Sequence, residues 1–422
     1  MLTRLLLENW KSYEKAELNI DPLTILIGTN AGGKSNALDA LSFLNRTVAG
    51  LNLTACLSGD ANITPLRGGT EWASRNHSER FKLGIVVQED SNTDYEYSIE
   101  VFVSESRCEV SSEELIRKKY TSIKGKSRKQ IGQIGLFRTD TPDQNDPMIK
   151  VRLYNKSSGT LRQLSRSSSV LSQLITQSTR QEISDGLNAV GKILREIFIL
   201  DPIPSHMRYF APLSESLEPD AGNIAGVISA LPEDRQREIE ETFAAYLSKL
   251  PERDIKRVYA ERVGKFKSDA MLYCEENWVR GGETPLIDAR GMSDGTLRFL
   301  AILTALLTRP TGSLLVIEEV DNGLHPSRAY LLIDMLRKIG EERRVDIVVT
   351  THNPALLDAL GPSSVPFITV AHRDSKTGAS KLTLLENIDN LARVLGHGPL
   401  GSLSTKGIIE RALKGEQLTF GF

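Results

Sequence analysis

Length, composition and charge mark the chain as an ordinary globular protein. It has 422 residues, of which 40% are hydrophobic and 25% are charged, and its formal net charge is −2. This length supports two or three core-forming units, and the balanced charge gives no overall attraction to nucleic acid or membrane. Three widely separated cysteines argue against a zinc module or a disulfide framework and favour a reducing compartment. No apolar run approaches the roughly 20 residues of a spanning helix and no signal-peptide pattern opens the chain, so we expect a cytoplasmic protein.

The N-terminal part of the chain is predicted to be rich in β-structure. Apolar and β-branched runs predict strands at 2–7, 16–20, 23–27, 81–87 and 95–103, the last two forming a hairpin. One helix is predicted over 35–44, where four apolar side chains share a face.

The middle of the chain gives weaker signals. Between 117 and 129 there are seven basic residues and no acidic ones, which we interpret as a solvated loop, with a nucleic-acid contact as the alternative. The serine-rich stretch 157–172 is expected to be irregular or a mobile loop. Apolar spacing then predicts two helices and three strands, at 183–197, 233–250, 255–263, 270–274 and 286–289.

Strands and helices alternate clearly in the last third of the chain. The pattern predicts helices at 295–308 and 327–343 and strands at 314–317, 345–349, 366–371 and 381–385. Such alternation indicates a mostly parallel α/β sheet.

Residues 28–35 carry a phosphate-binding pattern. They read G-x-x-x-x-G-K-S and lie between a predicted strand and a predicted helix. In this pattern Gly28 and Gly33 let the backbone wrap phosphates, while the loop N–H groups and the helix N-terminus present positive ends. Lys34 would reach the β- and γ-phosphates, and Ser35 can hold Mg²⁺. Taken alone, the match is also compatible with an ordinary glycine turn.

Three further motifs lie at the ends of elements in the last third. One predicted strand delivers Glu318 and Glu319 at its carboxyl end, where ligands bind in open α/β sheets. Ser293 or Asp294 would cap the helix that follows them, and His352 comes after the next strand. Each motif has a plainer interpretation as a helix cap or a structural histidine.

Together, the order and spacing of these motifs resemble the ABC-type ATPase superfamily, in the branch of the SMC, RecF and OLD-like ATPases. The matching segments are Walker A at 28–35, the signature motif at 293–296, Walker B at 317–319, the D-loop at 320–326, the switch histidine His352 and the Asn-Phe-Lys/Arg-Ser-Phe/Tyr motif at 9–13. Trp10 replaces the Phe of the last motif, Glu318 replaces the usual Asp of Walker B, and the signature is shorter than that of a transporter. No Q-loop glutamine can be assigned, because Gln88 lies in the predicted hairpin. The middle, 46–285, has only a vaguer likeness to OLD-like AAA-type ATPases without a Toprim nuclease domain.

The resemblance implies an α/β fold of the ABC-type ATPase head, which is a P-loop NTPase. Its parts would be a mixed or parallel sheet, an N-terminal antiparallel β lobe and an inserted helical and β region. The corresponding domains would be the N-terminal part of the head at 1–110, the insertion at 111–265 and the C-terminal part of the head at 266–422.

The resemblance also implies a site for ATP and Mg²⁺. Glu319, His352 and Lys34 would be catalytic, and Ser35 and Glu318 would hold the metal. The nucleotide-binding residues would be Gly28, Thr29, Asn30, Ala31, Gly32, Gly33, Lys34, Ser35, Asn36, Lys11, Ser293, Gly295 and Asp321.

The function implied is that of an ATP hydrolase that dimerises, or forms a higher homo-oligomer, on ATP. It would gate a nucleic-acid-directed process, in phage defence or DNA repair, through a separate nuclease or toxin. The short stretch after His352 contains no D-x-D cluster, so we expect no nuclease activity in this chain. Direct DNA binding through the basic run stays open.

Two alternatives have the same chemical motifs. An ATPase subunit of a membrane transporter would need a much shorter stretch between Ser35 and Ser293. An ATP-gated scaffold without turnover would be expected to lack part of the catalytic set, yet Lys34, Glu319 and His352 are all present.

Overall fold

The computed structural model describes residues 1–104, 107–121, 128–143, 146–250, 255–277, 286–389 and 391–413. Its strands are β1 (Leu2–Glu8), β2 (Lys15–Asn19), β3 (Leu23–Ile27), β4 (Arg80–Gln88), β5 (Thr93–Val103), β6 (Cys108–Thr121), β7 (Lys129–Thr139), β8 (Met148–Leu153), β9 (Thr160–Ser165), β10 (Ile197–Leu200), β11 (Ala211–Pro212), β12 (Ile255–Val263), β13 (Asp269–Glu276), β14 (Leu286–Asp288), β15 (Leu314–Ile317), β16 (Asp346–Thr350), β17 (Ile368–Arg373) and β18 (Ser380–Leu384). Its α-helices are α1 (Lys34–Val48), α2 (Leu53–Ser58), α3 (Val170–Ile175), α4 (Gln181–Arg195), α5 (Ile224–Ala230), α6 (Glu233–Leu247), α7 (Asp294–Thr308), α8 (Ala329–Arg343), α9 (Pro354–Leu360), α10 (Leu391–Leu395), α11 (Leu400–Thr405) and α12 (Ile408–Leu413).

These elements form two compact units. Unit 1 comprises Met1–Asp21, Ile27–Ile197 and Thr369–Leu384. Unit 2 comprises Pro22–Leu26, Phe198–Ile368 and the described residues from Leu385 onward. Within the ranges given above, every helix is too short or too polar to span a bilayer.

Unit 1 is built on an eight-stranded antiparallel sheet in the order β2-β1-β4-β5-β6-β7-β8-β9. Burial alternates along β5 and β6, because one face of the sheet packs against helices. An aromatic cluster joins α1 to this sheet, with the ring of Phe81 4.8 Å from that of Trp10 and 5.5 Å from that of Phe43. The predicted N-terminal antiparallel lobe is confirmed.

Unit 2 contains the parallel part of the fold. β15 pairs in parallel with β16, and β16 pairs in parallel with β3. These strands are short apolar runs that are almost completely buried, as expected where helices cover both faces of a sheet. A second, antiparallel sheet has the order β11-β13-β12 with β14 on β13. The predicted α/β class with a mostly parallel sheet is therefore confirmed, whereas the predicted division at 110 and 265 stays a prediction.

Three sequence-based interpretations of the middle are wrong in part. The basic run is not a loop throughout, because its first residues end β6 and Lys129 begins β7; Lys124 and Lys126 lie outside the described residues. The serine-rich stretch contains β9 and α3, since β9 pairs with β8 and serines can occupy an exposed strand face. The helix predicted to run to residue 197 ends at Arg195, and Ile197 starts β10.

A buried carboxylate ties α3 to the lobe sheet. Glu113 of β6 accepts hydrogen bonds from the Tyr97 hydroxyl (3.0 Å), the Ser169 hydroxyl (2.9 Å) and the N–H groups of Val170 and Leu171 (both 2.7 Å). Burial raises the pKa of Glu113 to about 7, and the four donors oppose that rise. The first turn of α3 thus depends on a residue far away in sequence.

We expect Glu113→Ala to lower the free energy of unfolding by about 2–3 kcal/mol, because four buried donors would lose their acceptor. Denaturant unfolding followed by circular dichroism measures the change. Glu114→Ala is the matched control. The Glu114 side chain is 44% exposed and forms a long ion pair of 3.8 Å with Lys82. Because exposed ion pairs contribute little, this change should alter the free energy of unfolding by no more than about 0.5 kcal/mol. Equal losses in the two variants would contradict the role given to Glu113.

Candidate functional site

The phosphate-binding pattern forms a loop between β3 and α1, as predicted. Gly28 and Gly33 have φ angles of +134° and +117°, which residues with a side chain rarely adopt. A Cβ at Gly28 would lie 2.0 Å from the carbonyl oxygen of Ala371, and one at Gly33 would lie 2.8 Å from the Tyr13 hydroxyl. The Tyr13 hydroxyl also donates to the Gly33 carbonyl at 2.9 Å. Close packing behind the loop therefore requires glycine at both positions.

The donors of this loop suit an anionic ligand. Lys34 Nζ donates to the carbonyls of Gly28 (2.7 Å) and Thr29 (3.2 Å), which holds the ammonium over the loop. Thr29, Asn30 and Ala31 are exposed, and α1 begins without a side-chain cap. A lysine and an uncapped N-terminus of a 15-residue helix are the features that bind phosphate groups.

The segment at 9–13 packs along the start of α1. Trp10 Nε1 donates to the carbonyl of Asn36 at 2.7 Å, and the Asn36 amide donates to the Ser12 hydroxyl at 2.7 Å. Lys11 lies against Asp39 of α1 rather than in open solvent. Lys11 and Asn36, which are both predicted to bind the nucleotide, thus lie in the part of unit 1 where the 9–13 segment packs against the start of α1.

A cavity of about 580 Å³ opens beside Asn36 within unit 1. Its lining includes the cationic side chains Lys11, Arg67, Arg75 and Arg373, together with the exposed indole of Trp72. Such a lining suits an anionic ligand that carries a flat ring, because arginine attracts phosphate and an indole stacks on aromatic rings.

Glu319 has an unusual backbone conformation directly after β15. Its φ angle is +48°, in the left-handed region that is uncommon for residues other than glycine. Thr350 holds it there, because the Thr350 hydroxyl accepts from the Glu319 N–H at 2.8 Å and the Thr350 carbonyl accepts from the Val320 N–H at 3.1 Å. Strain of this kind often occurs at functional sites.

The structure brings two of the predicted catalytic residues together. His352 Nδ1 lies 3.7 Å from Glu319 Oε1, and both side chains are about half exposed. They follow β16 and β15, which are parallel neighbours, so they share one edge of the sheet. Asn353 then caps α9 by accepting from the Ala355 N–H at 2.9 Å, as predicted. A carboxylate beside an imidazole can orient and polarise a water molecule.

The signature residues form the start of α7. Ser293 caps the helix by accepting from the Thr296 N–H at 3.1 Å, as expected. Gly295 lies against the D-loop, where a Cβ would be 2.7 Å from the Gly323 carbonyl. Arg208 fixes the preceding turn by donating to the carbonyls of residues 289, 290 and 292 and by pairing with Asp294.

Asp321 of the D-loop is buried and incompletely paired. Its residue surface is 8% exposed, and no donor in the described part of the chain reaches its Oδ1 atom. Buried polar atoms normally have a hydrogen-bond partner. This oxygen is therefore suited to receive a donor from outside the described residues.

The predicted site residues fall into two groups in the described chain. Residues 28–36 and Lys11 belong to unit 1, whereas Glu318, Glu319, His352, Asp321 and the signature belong to unit 2. Among the described residues, no group of three or more His, Cys, Asp or Glu could hold a metal ion without help. Magnesium does not need such a group, because it is usually bound through one or two protein oxygens plus phosphates and water.

Sequence reasoning missed four residues that support the site. Thr350 and Arg208 act through contacts with distant segments and have no local pattern. Asp39 did carry a signal, since it is an acidic residue in an apolar helix, one turn after Ser35. Arg67 pairs with it from an irregular stretch.

A comparison with protein families decides the classification. The model of the family described as "AAA domain, putative AbiEii toxin, Type IV TA system" matches residues 23–169 and 227–358, about two thirds of the chain. The chain belongs to this family. The predicted classification as an AAA-type ATPase is confirmed at the level of the family, and membership implies a nucleotide as ligand. No curated protein sequence matches the chain.

The solved structures similar to the chain include SMC head domains. A head bound to the C-winged helix domain of ScpA has 12% identity and a TM-score of 0.45, with 90% of this chain and 97% of that chain covered. The SMC head domain from Thermotoga maritima has 13% identity and a TM-score of 0.38, covering 91% and 98%. A head with an extended coiled coil, bound to the C-terminal domain of ScpA and derived from Pyrococcus furiosus, has 14% identity and a TM-score of 0.46, covering 94% and 98%.

We expect Glu319→Gly to leave the free energy of unfolding unchanged or to raise it by up to about 1 kcal/mol, because glycine adopts a positive φ without strain. Thermal unfolding of the nucleotide-free protein measures the effect. Glu318→Gly is the control at the adjacent position, where φ is not positive, and it should lower stability by about 0.5–1 kcal/mol. A larger loss at position 319 than at 318 would show that the left-handed conformation carries no strain.

Proposed function

We propose that the chain binds ATP with Mg²⁺ at the 28–35 loop and hydrolyses it with Glu319 and His352. The observation that carries this proposal is the Glu319–His352 pair at the ends of two parallel strands. The loop donors and the cationic cavity of unit 1 support a nucleotide as the ligand. Family membership supports the same reaction class.

In this proposal each residue has a role set by its chemistry. Lys34 and the loop N–H groups bind the phosphates, and Ser35 and Glu318 provide hard oxygen atoms for Mg²⁺. Mg²⁺ held by these oxygens would neutralise part of the negative charge on the phosphates. Glu319 orients the attacking water, and His352 stabilises the position of the Glu319 carboxylate and contacts the γ-phosphate region.

We further propose that two copies close on the nucleotide. Ser293 and Gly295 of one copy would complete the loop site of the other, and ATP would then favour the closed state over the open one. Within the described part of the chain no donor reaches Oδ1 of Asp321, which supports a site that receives a donor from elsewhere. An incomplete site of this kind makes dimerisation part of the reaction.

The purpose of the ATPase is proposed to be a nucleic-acid-directed process, in phage defence or DNA repair, exerted in the cytoplasm through a separate effector.

Direct DNA binding by the basic run has limited support in the described residues. Lys118 pairs with Glu96, and Arg128 pairs with Asp94 while stacking on Tyr120. Since carboxylates balance these cations, the run is less free to bind phosphate than its composition indicates.

We expect Glu319→Gln to reduce ATP turnover by about 100-fold or more, because the amide cannot accept a proton from water. The variant should still bind ATP and should accumulate as an ATP-bound dimer. Phosphate release measures turnover, and light scattering after size-exclusion chromatography in ATP measures the dimer. Full hydrolysis by this variant would contradict the role of Glu319.

Lys34→Ala is the matched control for that experiment. It removes the loop ammonium and should abolish productive ATP binding, so neither turnover nor an ATP-dependent dimer should be observed. Comparing wild-type turnover with and without double-stranded DNA tests the nucleic-acid part of the proposal separately. A purified protein that cuts DNA unaided would contradict the need for a separate nuclease.

A further inference from the structure

A buried acidic residue lies beside the phosphate loop and holds two cations. Asp39 is on α1, one turn after Ser35, and its residue surface is only 5% exposed. A carboxylate so close to a phosphate-binding loop would repel an anionic ligand if it acted alone. Its contacts explain its presence.

Both cations are bound in a defined geometry. Arg67 donates to Asp39 Oδ1 through Nη2 at 2.8 Å and Nε at 3.2 Å, and its Nη2 also donates to the Ser35 carbonyl at 3.1 Å. Lys11 Nζ pairs with Asp39 Oδ2 and donates to the Arg67 carbonyl at 2.7 Å. The carboxylate thereby joins the 9–13 segment and the Arg67 loop to the first turns of α1.

The Lys11 ammonium depends on this partner. Its side chain is 6% exposed, and burial lowers the pKa of Lys11 while the charge of Asp39 opposes the shift. The Arg67 guanidinium adds a like charge that disfavours a charged Lys11. Without Asp39, two cations would face each other in a partly buried place, and at least one would move away or lose its charge.

We propose that Asp39 is a positioning residue for the nucleotide: it keeps the Lys11 ammonium and the Arg67 guanidinium side by side at the wall of the cavity next to the phosphate loop. The inference rests on the proposed nucleotide site at 28–35. Lys11 and Arg67 both line the cavity, and Asp39 itself does not, so the carboxylate acts through the two cations.

The proposal predicts that loss of the Asp39 charge weakens ATP binding, whereas charge repulsion alone predicts that it strengthens binding. Removing a negative charge near an anion site ordinarily strengthens anion binding. We expect Asp39→Asn instead to raise the Kd for ATP by about 10- to 100-fold, which corresponds to losing one or two charge-assisted contacts. Titration with a fluorescent ATP analogue in Mg²⁺ measures Kd in the full chain, and the KM of ATP should rise more than kcat falls.

Glu14→Gln is the matched control. It removes a carboxylate that is 60% exposed and lies 3.8 Å from Arg75, another cation of the same cavity. The Kd should stay within about twofold of wild type or become tighter, as expected for loss of a screened negative charge. Asp39→Glu should recover part of the affinity lost in Asp39→Asn, because a carboxylate is restored.

A double-mutant cycle distinguishes a positioning role of Asp39 from a general loss of structure. In a Lys11→Met, Arg67→Met background, Asp39→Asn should change Kd by no more than about twofold, since its effect passes through those two side chains. If Asp39→Asn is unfolded at the assay temperature, Arg67→Gln alone takes its place and should raise Kd by about tenfold. Unchanged or tighter ATP binding by Asp39→Asn, or by Arg67→Gln in that case, overturns the inference.

These measurements distinguish a wrong role for Asp39 from a wrong nucleotide site. If wild type binds no ATP, or if Lys34→Ala binds as well as wild type, the nucleotide site itself is wrong. If wild type binds, Lys34→Ala does not, and Asp39→Asn matches wild type, only the role of Asp39 is wrong.

Discussion

The parallel pairing of β15, β16 and β3 is the constraint on which the candidate site depends. Val316 is in register with Val348, and Val348 with Thr24, so the three strands end at the same edge. Within unit 2, β15 runs into the two glutamates and β16 runs into His352. A slip of one residue in any pairing would turn every buried side chain of that strand to the opposite face.

Thr350 couples this register to the backbone of Glu319. Its hydroxyl and its carbonyl accept from consecutive N–H groups, those of Glu319 and Val320. The left-handed conformation of Glu319 therefore depends on the position where β16 ends. Because the two hydrogen bonds come from one residue, a local change in β16 would disturb the Glu319 carboxylate and His352 together.

Local patterns predicted the elements that carry these groups. A strand, a glycine loop and a helix adjoin in sequence around residue 30, and the strands before Glu318 and His352 are short apolar runs, so each could be identified within a few residues. The composition of the serine-rich stretch does not reveal α3, because this helix depends on Glu113, more than fifty residues away, whose carboxylate accepts from the first turn of α3. In the same way, the composition of the basic run does not predict its strands. The acidic residues that pair with it, such as Glu96 and Asp94, lie on a neighbouring strand that is distant in sequence.

Two energetic penalties in unit 2 lie within three residues of each other. A left-handed Glu319 costs on the order of 1–2 kcal/mol, and a buried carboxylate oxygen that no described residue reaches with a donor, as at Asp321, costs about 1–3 kcal/mol. A folded chain that carries both penalties gains stability if another state relieves one of them. In the function proposed above, these penalties would favour the nucleotide-bound state if binding relieves either of them.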